Sequence, residues 1–159
     1  VLADNKRAVG LDLTEHWLED KIMACSISRV EYFYTTIKDR PGEAYKFLSR
    51  LALLRINLLA FTAIPVNPTD TKLTIFPENP KFMKNEASRA GLYLEGPHPA
   101  LLVQCDDRLG ALADIHLQIY EADVNVVSAS GVTDGRGAFG YIIHVKTEDF
   151  DKAAAALGI

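Results

Sequence analysis

Asp39-Arg40-Pro41-Gly42 and Asp107-Arg108-Leu109-Gly110 are the segments whose residue types and spacing best suit a chemical task. Each precedes a run with helical spacing. A helix start offers unpaired amide N–H groups and a partial positive charge, which suit a carboxylate or a phosphate. Gly42 and Gly110 let the main chain approach a ligand with no side chain in the way. Asp39 and Asp107 could meet an ammonium group, which would complete a grip on a zwitterion. The competing reading gives the aspartates a helix-capping role and the glycines only a turn. Arg40 and Arg108 are by default solvated surface arginines.

The two segments are copies at a fixed distance. Asp107 follows Asp39 by 68 residues, and the same offset carries Phe47 onto Ile115, Leu51 onto Ile119, Ile56-Asn57 onto Val124-Asn125, and Phe82 onto Phe150. That interval is too long for a solenoid repeat and fits a small α+β unit. Units of about 65 residues bury too little surface to be robust alone. The two copies are therefore expected to share a face, with the functional site where they meet.

Each copy yields the same order of elements. In the first, Val30–Ile37 reads as a strand, and Ala44, Phe47, Leu48, Leu51 and Leu54 as one buried helical stripe. Residues 56–66 and the neighbourhood of Leu73 and Ile75 form a hairpin about Asn67-Pro68-Thr69-Asp70. Asn79-Pro80 opens a second helix that closes near Gly91, and Leu92–Glu95 is a last short strand. In the second copy Ala100–Cys105 is the strand and Leu112, Ile115 and Ile119 the helical stripe. A hairpin turns at Asp134-Gly135-Arg136-Gly137, and Thr147 caps a final Ala-rich helix. The partner of the Leu92–Glu95 strand would fall past residue 159, so the second copy lacks its last strand. Upstream, Asp12 and Glu15 have capping-box spacing before Trp17, Leu18 and Ile22. Met23–Ser28 is expected to fill the vacant sheet edge of the second copy, in this chain or in a symmetry mate, since bare edges are normally covered; the alternative is a simple N-terminal extension. The division is thus 1–29 as an N-terminal extension, 30–96 as the first unit and 97–159 as the second.

A formal net charge of −4 argues against a nucleic-acid or anionic-membrane partner. No apolar run approaches the length of a bilayer-spanning helix, and no signal peptide is visible, so a cytoplasmic location is expected. The only cysteines, Cys25 and Cys105, lack metal or redox-motif spacing and read as buried thiols in a reducing compartment. His16, His98, His116 and His144 are scattered, with no metal-ligand spacing, and His116 reads as a partly buried packing residue. No nucleophile elbow, P-loop or dinucleotide fingerprint is present. The chain is therefore read as not an enzyme, with no cofactor and no metal; an enzyme using the same cleft ranks last.

A β-α-β-β-α-β unit with D-R-P-G before its first helix and I-N after it resembles the ACT domain, a family of small regulatory modules that bind amino acids and related molecules. Asp39-Arg40-Pro41-Gly42 and Ile56-Asn57 carry the likeness in the first copy. Asp107-Arg108-Leu109-Gly110 and Val124-Asn125 carry it in the second, with Leu109 in place of proline. The likeness covers residues 30–159. It implies an α+β fold of two ferredoxin-like βαββαβ repeats packed side by side, with antiparallel sheets and helices on one face. It also implies an effector, an amino acid, held at the interface between units, a homodimer, and a regulated enzyme as partner. Carried over by position, the ligand contacts are Asp39, Arg40, Pro41, Gly42, Asp107, Arg108, Leu109, Gly110 and Ala111. Residues of the facing strands join them, Ser128 and Ser130 among these. Gly110-Ala111-Leu112 matches the G-A-L element of phenylalanine-responsive members, but their E-S-R-P element is missing, so phenylalanine specificity is not supported. The alternative is an assembly or protein-interaction module that binds no ligand.

Overall fold

A computed structural model describes residues 25–159. The expected helix around Trp17 lies outside the described residues, as does Met23. The chain runs β1 (Cys25–Lys38), α1 (Glu43–Leu53), β2 (Leu58–Asn67), β3 (Asp70–Pro77), α2 (Pro80–Arg89), β4 (Glu95–Asp106), α3 (Ala111–Glu121), β5 (Val126–Thr133), β6 (Ala138–Val145) and α4 (Phe150–Ala156). A 3-10 turn over Thr147–Asp149 leads into α4, where the sequence predicts a threonine cap; no side chain caps α4.

The strands form a single antiparallel six-stranded sheet in the order β2-β3-β1-β4-β6-β5. Two differences from the sequence reading concern its centre. Residues 92–94 form no strand; β4 starts at Glu95 and runs unbroken to Asp106. Likewise, the segment expected as an extra strand is the beginning of β1. Cys25, Ser26, Ile27 and Ser28 pair with Cys105, Gln104, Val103 and Leu102 of β4, the place assigned to the missing strand. β1 is thus paired with β4 from Cys25 to Tyr34 and with β3 only from Phe33 onward.

Side-chain alternation along β1 decides the layers. Cys25 and Ile27 pack into one core with α3 and α4, built on Leu101, Val103, Ile115, Ile119, Ile143 and Ala153. Phe33 and Ile37, of the same parity, pack into a second core with α1 and α2, built on Phe47, Leu51, Leu73, Ile75 and Met83. Both cores, and so all four α-helices of the described residues, lie on one sheet face. Val30 and Tyr32 point the other way, to a third cluster of Phe76, Ala100, Leu102 and Ile142. The sheet curls across that face until its two edges line one hollow, of about 240 Å³, from Leu59–Thr62 of β2 and Ser130–Val132 of β5.

Local geometry repeats at the 68-residue spacing. Gly42 and Gly110 both precede a helix in the left-handed region, at φ 89° and 85°. Arg55 and Asp123 are the non-glycine residues of positive φ. After each, the amide of Ile56 or Val124 returns to the carbonyl of Leu51 or Ile119, which satisfies the helix end. The Asn57 side chain donates to Glu78 Oε1 at 2.7 Å.

The two cysteines are not free thiols. Cys25 and Cys105 are directly opposed in the β1–β4 ladder, with Cα atoms 4.2 Å apart, and form a disulfide. Spacing in sequence carried no sign of this, because the opposition depends on β1 starting five residues earlier than Val30.

Where β4 shifts register between the partners of Tyr32 and Tyr34, the Tyr34 hydroxyl donates to the Glu95 carboxylate. That bond, ahead of burial, pushes the phenol up to about 12. A raised folded value means its contribution is whole below the ordinary value near 10 and is lost as pH rises toward about 12. Tyrosinate absorbance should therefore lose its latest-ionising tyrosine in Tyr34→Phe, while Tyr32 and Tyr141, which burial also raises, remain. Ionisation of Tyr34 together with the other tyrosines would refute the bond.

Candidate functional site

The second loop opens into a hollow of about 580 Å³. Residues 107–113 form one wall, and Gly131, Val132, Thr133 and Phe139 form the other. β4 delivers Asp107, α3 begins at Ala111, and the end of β5 lies opposite because the Asp107 amide donates to Gly137 O at 2.8 Å, pinning the β5–β6 turn beside the loop. That turn is itself held by Asp134 Oδ1, which accepts from the amides of Arg136 at 2.7 Å and Ala138 at 3.0 Å. These amide bonds hold the Asp134 carboxyl below the usual range.

Neither aspartate of the loops caps a helix. Gly110 occupies the cap position of α3, and no side chain accepts from the first turn. Ala111 N donates to Arg108 O and Asp114 N to Gly110 O, so the amides of Leu112 and Ala113 are the ones left by helix geometry for an outside acceptor. The Asp107 carboxylate accepts from Thr133 Oγ1 at 3.2 Å, a hydroxyl also 3.2 Å from Ala138 O. Arg108 is not a free cation: its guanidinium is paired with Asp114 in the first turn of α3. The hollow therefore has a positive pole at the α3 amides and a negative pole at Asp107, the polarity of a bound zwitterion's mirror image.

Two residues behind the wall keep its shape. His116 is half-buried, with Nε2 2.6 Å from the Tyr141 hydroxyl. The Tyr141 ring lies against Gly131, where a Cβ would come within 2.7 Å of Cδ2. Only glycine at 131 lets β5 run this close to the ring.

The remaining sequence-derived candidates lie elsewhere. Asp39, Arg40, Pro41 and Gly42 are all exposed. β1 and β4 are antiparallel, so the Asp39 loop leaves the sheet at the Tyr34–Glu95 end of their ladder and the Asp107 loop at the Cys25–Cys105 end. The loops thus lie on the order of 40 Å apart along the strands and do not face each other. At the 68-residue spacing Thr133 corresponds to Pro65 and Gly131 to Ala63, so the first loop has neither the hydroxyl nor the bare wall. Beside it Lys38, Thr69 and Asn67 draw the Asp70 carboxyl down to about 2, a fixed ion-pair network rather than a receptor. Leu109 is 98% exposed on the rim of the second hollow. Ser130 lines the hollow on the opposite sheet face, and Ser128 pairs with His144. Thr133 and Phe139 were missed; the signal was the position of Thr133 immediately before the Asp134-Gly135 turn.

Among the described residues, no group of three or more His, Cys, Asp or Glu is placed to hold a metal, and no helix is long and apolar enough to cross a membrane.

No protein-family model and no curated protein sequence matches the chain. Solved structures do resemble it. A protein of Bacteroides thetaiotaomicron, BT0572, superimposes with a TM-score of 0.70 at 15% identity, over 82% of this chain and 88% of that one. The ligand-free regulatory subunit of aspartate kinase from Thermus thermophilus gives a TM-score of 0.57 at 13% identity, over 84% and 93%. The corresponding subunit from Thermus flavus gives 0.54 at 14% identity, over 85% and 94%. At these identities the likeness is one of fold. The chain shares the α+β architecture of these regulatory subunits.

Proposed function

We propose that this is a regulatory protein of two ACT-like units, 30–96 and 97–159, that binds a small zwitterion, an amino acid, in the hollow at the second loop. The observation that carries the reading is the presence of two opposite poles in the lining of one hollow: the open amides of Leu112 and Ala113, and the Asp107 carboxylate with Thr133. The α-carboxylate sits on the amides, the ammonium meets Asp107, and the side chain lies along Val132 and Phe139. The shared fold with aspartate kinase regulatory subunits supports a regulatory and non-catalytic role, with an enzyme as the regulated partner; the reading adds a homodimer as the working form. The reading keeps a cytoplasmic setting, in which the Cys25–Cys105 bond is a reversible one. Ligand occupancy acts by favouring one arrangement of the chain or its partner over another.

Screening the twenty amino acids by thermal shift, followed by calorimetry on any that stabilise, tests this. At about 100-fold excess over Kd, a true ligand adds about 2.7 kcal/mol. Asp107→Asn removes the charge opposite the ammonium and is expected to weaken binding about 10- to 100-fold, with Thr133→Val weakening it less. Stabilisation unchanged in Asp107→Asn would remove the site. The assembly reading is favoured by Leu109, Leu117 and Tyr120, exposed by 98%, 52% and 76% around α3. It predicts no amino-acid response and a dimer weakened by Leu109→Asp.

A further inference from the structure

The sequence marks Cys25 and Cys105 as inert, and the ligand reading makes no use of them, yet the fold places them at a mechanically exposed point. They form the outermost rung of the β1–β4 ladder among the described residues. Beyond Cys105 the chain needs only Asp106 before it enters the loop that walls the 580 Å³ hollow. On the other side, among the described residues, residues 25–32 of β1 pair with no strand except β4, so beyond the packing of Cys25 and Ile27 under α3 and α4 this stretch has a single ladder. Arg29 adds one tie, donating to Asp151 Oδ1 at 2.6 Å with its guanidinium 5.4 Å over the Phe150 ring. The bond closes a separation of 80 residues.

We propose that the Cys25–Cys105 disulfide is a redox modification site that is opened and closed within the native fold, and that it sets the rigidity of the loop from Asp106 to Gly110. Two features make it reversible without unfolding. Cys25 is only partly buried while Cys105 is 3% exposed, so an attacking thiolate reaches the Cys25 sulfur first. After reduction, the rungs Ser26–Gln104 and Ile27–Val103 keep the two side chains opposed, so re-oxidation needs no search. The reductant is a dithiol. Its thiolate attacks Cys25 Sγ, the sulfur–sulfur bond breaks, and Cys105 leaves as a thiolate that takes up a proton. The second thiol of the reductant then displaces Cys25, which is also protonated, and the reductant departs as a disulfide. Two electrons and two protons have passed to the protein. With the covalent rung gone, the β1 side of the ladder frays from its Cys25 end, and the loop keeps only the β6 side of its anchor, the Cys105–Phe139 and Asp106–Ala138 rungs and the Asp107 amide on Gly137 O.

The test uses the full chain, oxidised and then treated with dithiothreitol under native conditions. The proposal expects two titratable thiols with far-ultraviolet dichroism retained and a melting midpoint lower by about 5–10 °C. Hydrogen exchange should be at least about tenfold faster at 26–28 and 104–110 and unchanged in β3. Oxidised glutathione should restore the first state, and Cys25→Ser should exchange like the reduced protein. Thiols that become reactive only through global unfolding would overturn it. So would reduced protein whose exchange at 104–110 matches the oxidised form, or a Cys25→Ser variant that exchanges like the oxidised form. None of these readouts involves a ligand, so a failed amino-acid screen leaves this inference standing.

Discussion

Phe33→Ala is expected to lower the stability of the fold by about 3–5 kcal/mol. The ring is 1% exposed and fills the core formed with Phe47 and Leu51 of α1, Met83 of α2, and Leu73 and Ile75 of β3. It joins four elements at the point where β1 changes from one paired neighbour to two. Truncation leaves a void that the surrounding strands, fixed by their ladders, close only in part. For a domain whose total stability is on the order of 5–15 kcal/mol, that is a large share. Urea unfolding followed by circular dichroism measures it. A loss below about 1 kcal/mol would mean that the ring does not occupy this core.

Gly96→Ala is expected to be nearly as costly, for a different reason. Gly96 has φ 139°, a region that residues with a side chain rarely adopt. An added Cβ would stand 2.8 Å from the carbonyl oxygen of Tyr32, 3.0 Å from the Phe33 ring and 3.3 Å from the Phe33 Cα. The ring could give way, but the main-chain atoms belong to the central ladder and cannot. Backbone strain and overpacking each cost about 1–3 kcal/mol, so a combined loss of about 2–5 kcal/mol is anticipated. A double-mutant cycle with Phe33→Leu separates the two contributions. The smaller side chain should recover part of the loss, and the backbone contribution should persist. Full recovery would place the clash in the ring alone.

The element order was legible because the chain obeys simple periodicities. Phe47 and Leu51 in α1, and Ile115 and Ile119 in α3, fall on one helical stripe and are all buried. Asn79 accepts from Phe82 N at 3.0 Å, as its place before Pro80 implies. What the sequence hid is what depends on long-range pairing. Nothing local marks Cys25–Ser28 as the start of β1, or shows that residues 92–94 stop short of β4. The site was half legible. Asp107, Gly110 and Ala111 line the hollow, but Ser128 and Ser130 do not belong to its wall. A register shift between Val126 and Ser128 is the cause. Strict alternation from Val126, which packs toward α3, would turn both serines to the helix side. The extra residue turns them over and brings Ala129, Gly131 and Thr133 there instead. The loop from Asp39 to Gly42 resembles its counterpart in composition, yet its neighbours Ala63 and Pro65 deny it a comparable hollow.

The long central ladder also dictates a timetable for folding. β1 leaves the ribosome early, but the partner of Cys25 lies 80 residues later in the chain, and at synthesis rates of about 5–20 residues per second that means seconds of waiting. During that interval the strand has neighbours only for its second half. Its first half, with Ile27 and Val30, is an uncovered edge in a nascent chain. Contacts of such separation close slowly, so this protein is expected to depend on chaperone holding more than its size alone would indicate.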